Sequence, residues 1–148
     1  MRRWRPTRKP LPCLLSSIMT QQHFWLDIEA AITIHEMQIA LHGGTSGIRD
    51  YALLHLALER PKMALYYAKH PLPVLAAYYA IGITHNHPFF DGNKRVTLGL
   101  CDTFLRYHEQ MLSTTTQETY EAIINLSSGV LSDEAFIEWV QKHTHPIR

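Results

Sequence analysis

Apolar residues along this chain recur with the period of a helix. Between Leu26 and Leu41, the residues Leu26, Ile28, Ala31, Ile32, Ile34, Met37, Ile39 and Leu41 form a mostly helical face. The stretch "HGGTSG", with glycines at 43, 44 and 47, then predicts a loop. Asp50 suits the N-cap of "YALLHLALER", and that helix is expected to stop before Pro61. "PKMALYYAKHPLP" contains three prolines and reads as a short helix or irregular flap, with room for a short hairpin over 61–73. Pro73 fits the first turn of a further helix that carries the run "VLAAYYAIGI" from Val74 to Ile83 and continues toward His85. A helix apolar on all sides belongs at the centre of a bundle.

Gly92 or Asn93 opens the next helix, expected through about Gln110, with Val96, Leu100, Cys101, Phe104 and Leu105 on one side. "TTTQETYEAIINLSSG" has a Thr cap and a Gly stop, and "SDEAFIEWVQKH" has a Ser132 cap with acids in its first turn. No strand-like alternation persists and no internal repeat is present. The predicted fold is all-α.

Composition narrows this picture. A chain of 148 residues is most simply one domain, able to bury roughly two-thirds of the surface it exposes unfolded. The net charge of +1 hides an asymmetry: residues 1–18 hold Arg2, Arg3, Arg5, Arg8 and Lys9 with no acid, while the remainder is −4. The first segment is either a basic arm for nucleic acid or lipid, or a disordered extension with Met19 as a plausible start. Three prolines among its first twelve residues favour the extension. The domain is therefore expected over 19–148, without direct nucleic-acid binding. Cys13 and Cys101 give no disulfide or metal framework. The longest apolar run is ten residues, against the ~20 a membrane span needs. A cytoplasmic location with no membrane association is the resulting expectation.

The chemistry concentrates in "THNHPFFDGNKRVTLGL", Thr84 to Leu100. A sharp turn there meets the N-terminus of a helix, where free N–H groups and the helix dipole form an anion site. Gly92 lets the backbone approach a ligand, and Asn93 can add a side-chain amide. Lys94 and Arg95 are cations at the end of a helix that repels them, which suggests a compensating polyanion such as phosphate. Asp91 beside such a phosphate suits Mg²⁺, which binds through one or two carboxylates plus phosphate oxygens. His87 can take a proton from an attacking hydroxyl. Phe89 reads as a core anchor for the loop. A base, a metal carboxylate and a phosphate cradle point to phosphoryl or nucleotidyl transfer.

Each of these residues alone is more often structural, since Asp-Gly is commonly a turn and Asn-Lys-Arg a solvated helix start. Their density over His87 to Arg95 favours a site. The literal "HNH" of His85 to His87 does not indicate an HNH nuclease, because strands and a basic surface are lacking. The other histidines fall into no zinc-ligand spacing, and most are expected at the surface or as half-buried tips.

"HPFFDGNKR" resembles the Fic/Doc superfamily signature, H-P-F-x-D/E-G-N-G/K-R, at every specified position. The stretch "IHEMQIALHGGTSGIRDYALLHLALERP", together with Lys94 in place of glycine and Leu98 in place of a second arginine, resembles the death-on-curing (Doc) toxins. The resemblance covers roughly Leu26 to Gln110. It implies a compact bundle of about six or seven helices with the motif loop between two central ones. Fic enzymes transfer AMP from ATP to a hydroxyl. Doc toxins turn the nucleotide round and send its γ-phosphate to a threonine of elongation factor Tu, blocking translation. The resemblance favours the kinase, with AMP transfer as the rival and a non-catalytic antitoxin-binding co-regulator as the alternative of another class. Carried over, His87 activates the target hydroxyl, Asp91 holds Mg²⁺, and Gly92, Asn93, Lys94 and Arg95 bind the phosphates of ATP. His85 lies outside the signature and is a phosphate contact only by proximity. No S/T-x-x-x-E-G/N inhibitory helix is present; Thr114 and Glu118 have the spacing, but Thr119 follows. An unrestrained toxin implies a Phd-like antitoxin and an exposed apolar groove to receive it.

Overall fold

The apolar run from Val74 to Ile83 becomes the central helix of the bundle. The structure, a computed structural model, describes residues 24–147. Six helices follow in order: α1 Ile28–His42, α2 Tyr51–Tyr67, α3 Leu72–Asn86, α4 Asn93–Tyr107, α5 Thr116–Ser128 and α6 Asp133–His143. Two short strands, β1 Gln110–Leu112 and β2 Thr144–Pro146, pair antiparallel with Met111 opposite His145. The fold is all-α apart from this ribbon. The extension expected at 1–18, with Cys13, and the alternative start at Met19 lie outside the described residues.

Helix α3 packs against α2, α4, α5 and α6, so almost every position from Val74 to Ile83 is buried. Pro71 precedes it and Pro73 sits in its first turn, where a missing N–H costs nothing. Tyr79 is fully buried on α3, and its hydroxyl accepts the Leu26 N–H at 2.9 Å, which ties the start of the described chain to the core. Burial pushes the Tyr79 phenol well above its ordinary pKa.

The predicted stop at Pro61 is not observed, because α2 runs through it to Tyr67. An interior proline costs about 3 kcal/mol in an isolated helix, and here packing outweighs that cost. Pro61 is buried with Leu54, Ala57 and Leu58 on the face that meets α3. Its missing N–H leaves the Ala57 carbonyl without an in-helix donor. The α3 backbone approaches that carbonyl at Gly82, where a Cβ would lie 2.9 Å from the oxygen. The predicted hairpin over 61–73 is also absent: helix continues to Tyr67, and irregular backbone leads to Pro71.

Helix α4 ends at Tyr107, short of the expected Gln110. Glu109 takes a left-handed conformation (φ 62°), and Gln110 is drawn into the ribbon with β2. The caps expected at Asp50, Thr115 and Ser132 each accept a first-turn N–H, Gly129 closes α5 in the left-handed region, and Asp27, which was not singled out, caps α1 in the same way. Thr115 and Glu118 complete a reciprocal capping box.

Candidate active site

Helix α3 ends at Asn86, and His87 caps it in the left-handed conformation at φ 51°, ψ 54°. A non-glycine residue adopts this conformation at a cost of roughly 1–2 kcal/mol, so other contacts must hold it. They come from the α1–α2 connection. Arg49 donates from Nε to the His87 carbonyl at 2.8 Å and from Nη2 to the Asn86 carbonyl at 3.0 Å. The Pro88 carbonyl accepts the backbone N–H groups of Arg49 and Asp50 at 2.6 and 3.0 Å. Asn86 Nδ2 donates to the Leu53 carbonyl at 2.9 Å, and Ile48 bridges to Phe89 as a single β-type pair. The segment "GIRD" therefore acts as a splint for the turn that presents His87.

Beneath the turn, Phe89 is fully buried. His35 of α1 stacks on it with ring centroids 4.1 Å apart and planes 12° from parallel. The same imidazole donates from Nε2 to the Asp91 carbonyl at 2.8 Å. His35 is itself buried, an exception among the histidines outside the motif, most of which are expected as surface residues or half-buried tips.

Asn93 also departs from its expected role. Its side chain is buried; Oδ1 accepts the Phe89 N–H at 3.0 Å, and Nδ2 donates to the Phe89 carbonyl at 2.9 Å. The amide staples the loop to itself and is not free for phosphate. What Asn93 offers an anion is its backbone N–H.

The exposed carboxylate of Asp91 accepts the Gly92 N–H at 2.9 Å and the Thr45 N–H at 3.2 Å. The second contact needs Gly44, at φ 119°, because a Cβ there would stand 2.7 Å from Asp91 Oδ2. Among the described residues no group of three or more His, Cys, Asp or Glu side chains is placed to hold a metal. A lone carboxylate with spare lone pairs suits a divalent cation that arrives already bound to phosphate oxygens and water. Mg²⁺ carried by a nucleotide fits; a metal caged by protein ligands does not.

Gly92 sits at φ 77° and caps α4 without any side-chain hydrogen bond. The first-turn N–H groups of Asn93, Lys94 and Arg95 thus lack an in-helix acceptor. Lys94 and Arg95 are half-buried and form no ion pair with a carboxylate among the described residues. These groups, with His87, Asp91, Gly92, Phe90 and Tyr120, line an open depression of about 160 Å³. That is room enough for a phosphate group with its hydration.

His85 does not line this depression. Its Nε2 donates to Asp133 Oδ1 at 2.7 Å, so the expected phosphate contact is instead a tether to the start of α6. Glu118 stays away as well. Its Oε1 accepts the Thr115 N–H at 2.9 Å, and its side chain lines a different cleft beside Trp139 and His143.

Sequence reasoning missed three residues of this region. Arg49 and His35 fall within the stretch that carried the family resemblance, but nothing in their spacing announced contact with the motif. Tyr120 had no signal at all. The family model described as Fic/DOC family matches residues 25–105, more than half of the chain. No curated protein matches it.

Proposed function

The chain belongs to the Fic/DOC family, whose members transfer nucleotide-derived groups to proteins, and from that premise we propose that it moves the γ-phosphate of Mg·ATP to a hydroxyl of another protein. The observation that carries this reading is the concentration of unneutralised positive charge at the start of α4. Lys94, Arg95 and bare N–H groups converge on one depression beside His87 and Asp91. Such an assembly is electrostatically unfavourable until an anion enters.

In the transfer, the hydroxyl oxygen of the target attacks the γ-phosphorus, and the bond from that phosphorus to the β,γ-bridging oxygen breaks. ADP leaves, and His87 takes the hydroxyl proton. Lys94, Arg95 and the α4 N–H groups stabilise the charge spread over the transferred group. Asp91 would hold Mg²⁺, which when bound would neutralise phosphate charge.

Two features favour this over transfer of AMP. Lys94 fills the position at which AMP-transferring relatives have glycine, and its side chain lines the depression. Leu98, at the position of their second arginine, packs against the core and supplies no charge. The target is proposed to be a threonine of elongation factor Tu, with arrested translation as the outcome and a Phd-like antitoxin as the restraint.

The test uses purified protein, bacterial lysate and Mg²⁺ with ATP labelled at the γ- or the α-phosphate. Label from γ-ATP alone on one band of elongation-factor size supports the kinase. Label from α-ATP overturns it in favour of nucleotidyl transfer, and no label from either favours a binding module. His87→Ala should lower transfer by at least ~100-fold.

A further inference from the structure

Among the described residues, Tyr120 is the one that lines the motif depression from outside the stretch His87–Arg95. It comes from α5, beyond the region matched by the family model. We propose that Tyr120 is a further ligand-contact residue, whose phenol hydroxyl donates a hydrogen bond to a phosphate oxygen in the depression. This rests on the transfer reading given above and adds to it a contact from a second element of the fold.

Three observations support the proposal. The side chain is half-buried against a surface that holds, besides Phe90 and Gly92, the cations, bare N–H groups, His87 and Asp91. Its hydroxyl has no hydrogen-bond partner among the described residues, whereas the hydroxyls of Thr115 and Thr119 beside it are engaged. Thr115 Oγ1 accepts the Glu118 N–H at 3.0 Å, and Thr119 Oγ1 donates to the Thr115 carbonyl at 3.1 Å. The position is also held firmly, because the capping box and the buried Thr119 flank Tyr120 on the first two turns of α5.

The chemistry selects the ligand. Lys94, Arg95 and the α4 N–H groups offer donors only, and a phenol, able to donate or accept, is compatible with them when it too donates to an anion. A phosphate oxygen can accept from several donors at once, and a hydrogen bond to an ionised acceptor is stronger than one between neutral groups. Stacking of the ring on a nucleobase is the competing role for an aromatic wall, and a ligand without a base separates the two.

The experiment measures binding of Mg·ATP and of Mg·tripolyphosphate, which has no base, by calorimetry to the full chain and to Tyr120→Phe and Tyr120→Ala. Retained thermal midpoints establish that both variants are folded. The expected result is an affinity lower by about 10-fold in Tyr120→Phe for both ligands alike, the effect of one charge-assisted hydrogen bond. Unchanged binding by Tyr120→Phe, with loss only in Tyr120→Ala, overturns the hydroxyl contact and leaves a ring wall. Loss confined to Mg·ATP overturns it in favour of base recognition. Binding of neither ligand by the unsubstituted chain overturns this inference together with the transfer reading, so the two failures are distinguishable.

Discussion

Replacing Asn93 by Asp changes one amide nitrogen to oxygen, and the structure specifies what that atom does. Oδ1 of Asn93 already accepts the Phe89 N–H and would continue to do so. Nδ2 donates to the Phe89 carbonyl at 2.9 Å, and its replacement sets an anionic oxygen against a carbonyl oxygen at a position only 5% exposed. An unmade buried hydrogen bond costs ~1–3 kcal/mol. A buried, incompletely paired carboxylate adds to that, offset by about 0.5–1 kcal/mol from its place at the N-terminus of α4. The net expectation is a loss of about 2–4 kcal/mol. With a urea dependence near 2 kcal/mol per M, the unfolding midpoint falls by roughly 1–2 M. Burial and the facing carbonyl raise the carboxyl of the variant above its unfolded value. The neutral acid can donate to Phe89 as the amide does, so the stability deficit is smallest at low pH and grows as pH rises through the folded-state pKa. Urea melts of the wild type, Asn93→Asp and Asn93→Ala at pH 5 and pH 7 are the assay. Asn93→Ala should show a deficit of ~1–3 kcal/mol that does not vary between the two. An unchanged midpoint in Asn93→Asp, combined with abolished Mg·ATP binding, would refute the reasoning, because the amide would then face the ligand and not the loop.

Arg49→Ala removes both donors that hold the Asn86 and His87 carbonyls. Transfer should fall ~10-fold or more, while Mg·ATP affinity changes little, because the phosphate cradle on α4 is untouched; equal losses in binding and turnover would argue against a splint for His87. The thiol of Cys101 is buried, and burial pushes its pKa up to about 12. Thiol-reactive dye should therefore label Cys101 only when the protein unfolds, with the labelling rate rising in step with the urea transition.

The parts of this fold legible in the sequence were those with local causes. Thr115 with Glu118 and Gly129, Ser132, Asp50 and Pro73 announce helix ends through hydrogen bonds or ring geometry that involve only near neighbours. Pro61 was misjudged because its local cost is real, but the burial of its face against α3 cannot be seen locally. The ribbon of β1 with β2 was invisible for a similar reason: three residues carry no periodicity, and their partners lie more than thirty positions away. At the site, the contiguous motif put His87, Asp91 and the cations in one place on the page. Spacing could not distinguish a side-chain amide that binds ligand from one that binds its own loop, so Asn93 was given a side-chain role that its amide does not have free. Nor could it show that the ring of His85 meets Asp133. Arg49, His35 and Tyr120 reach the motif through tertiary packing alone.

The ribbon has a consequence for how the molecule opens. Each strand is three residues long, and Leu112 is the only residue of the pair that is buried. By contrast, α5 and α6 are rooted in the core through Ile123, Leu126, Phe136 and Val140. Closure of the ribbon therefore depends on a handful of amide bonds, while retention of the helices depends on burial. Native-state hydrogen exchange should separate the two. The amides of the ribbon, including Ser113 bonded to the His143 carbonyl at 2.7 Å, should exchange by local fraying, and those of Ile123 and Val140 only by a much larger excursion. The ribbon can thus come loose as a clasp while the helix bearing Tyr120 stays seated.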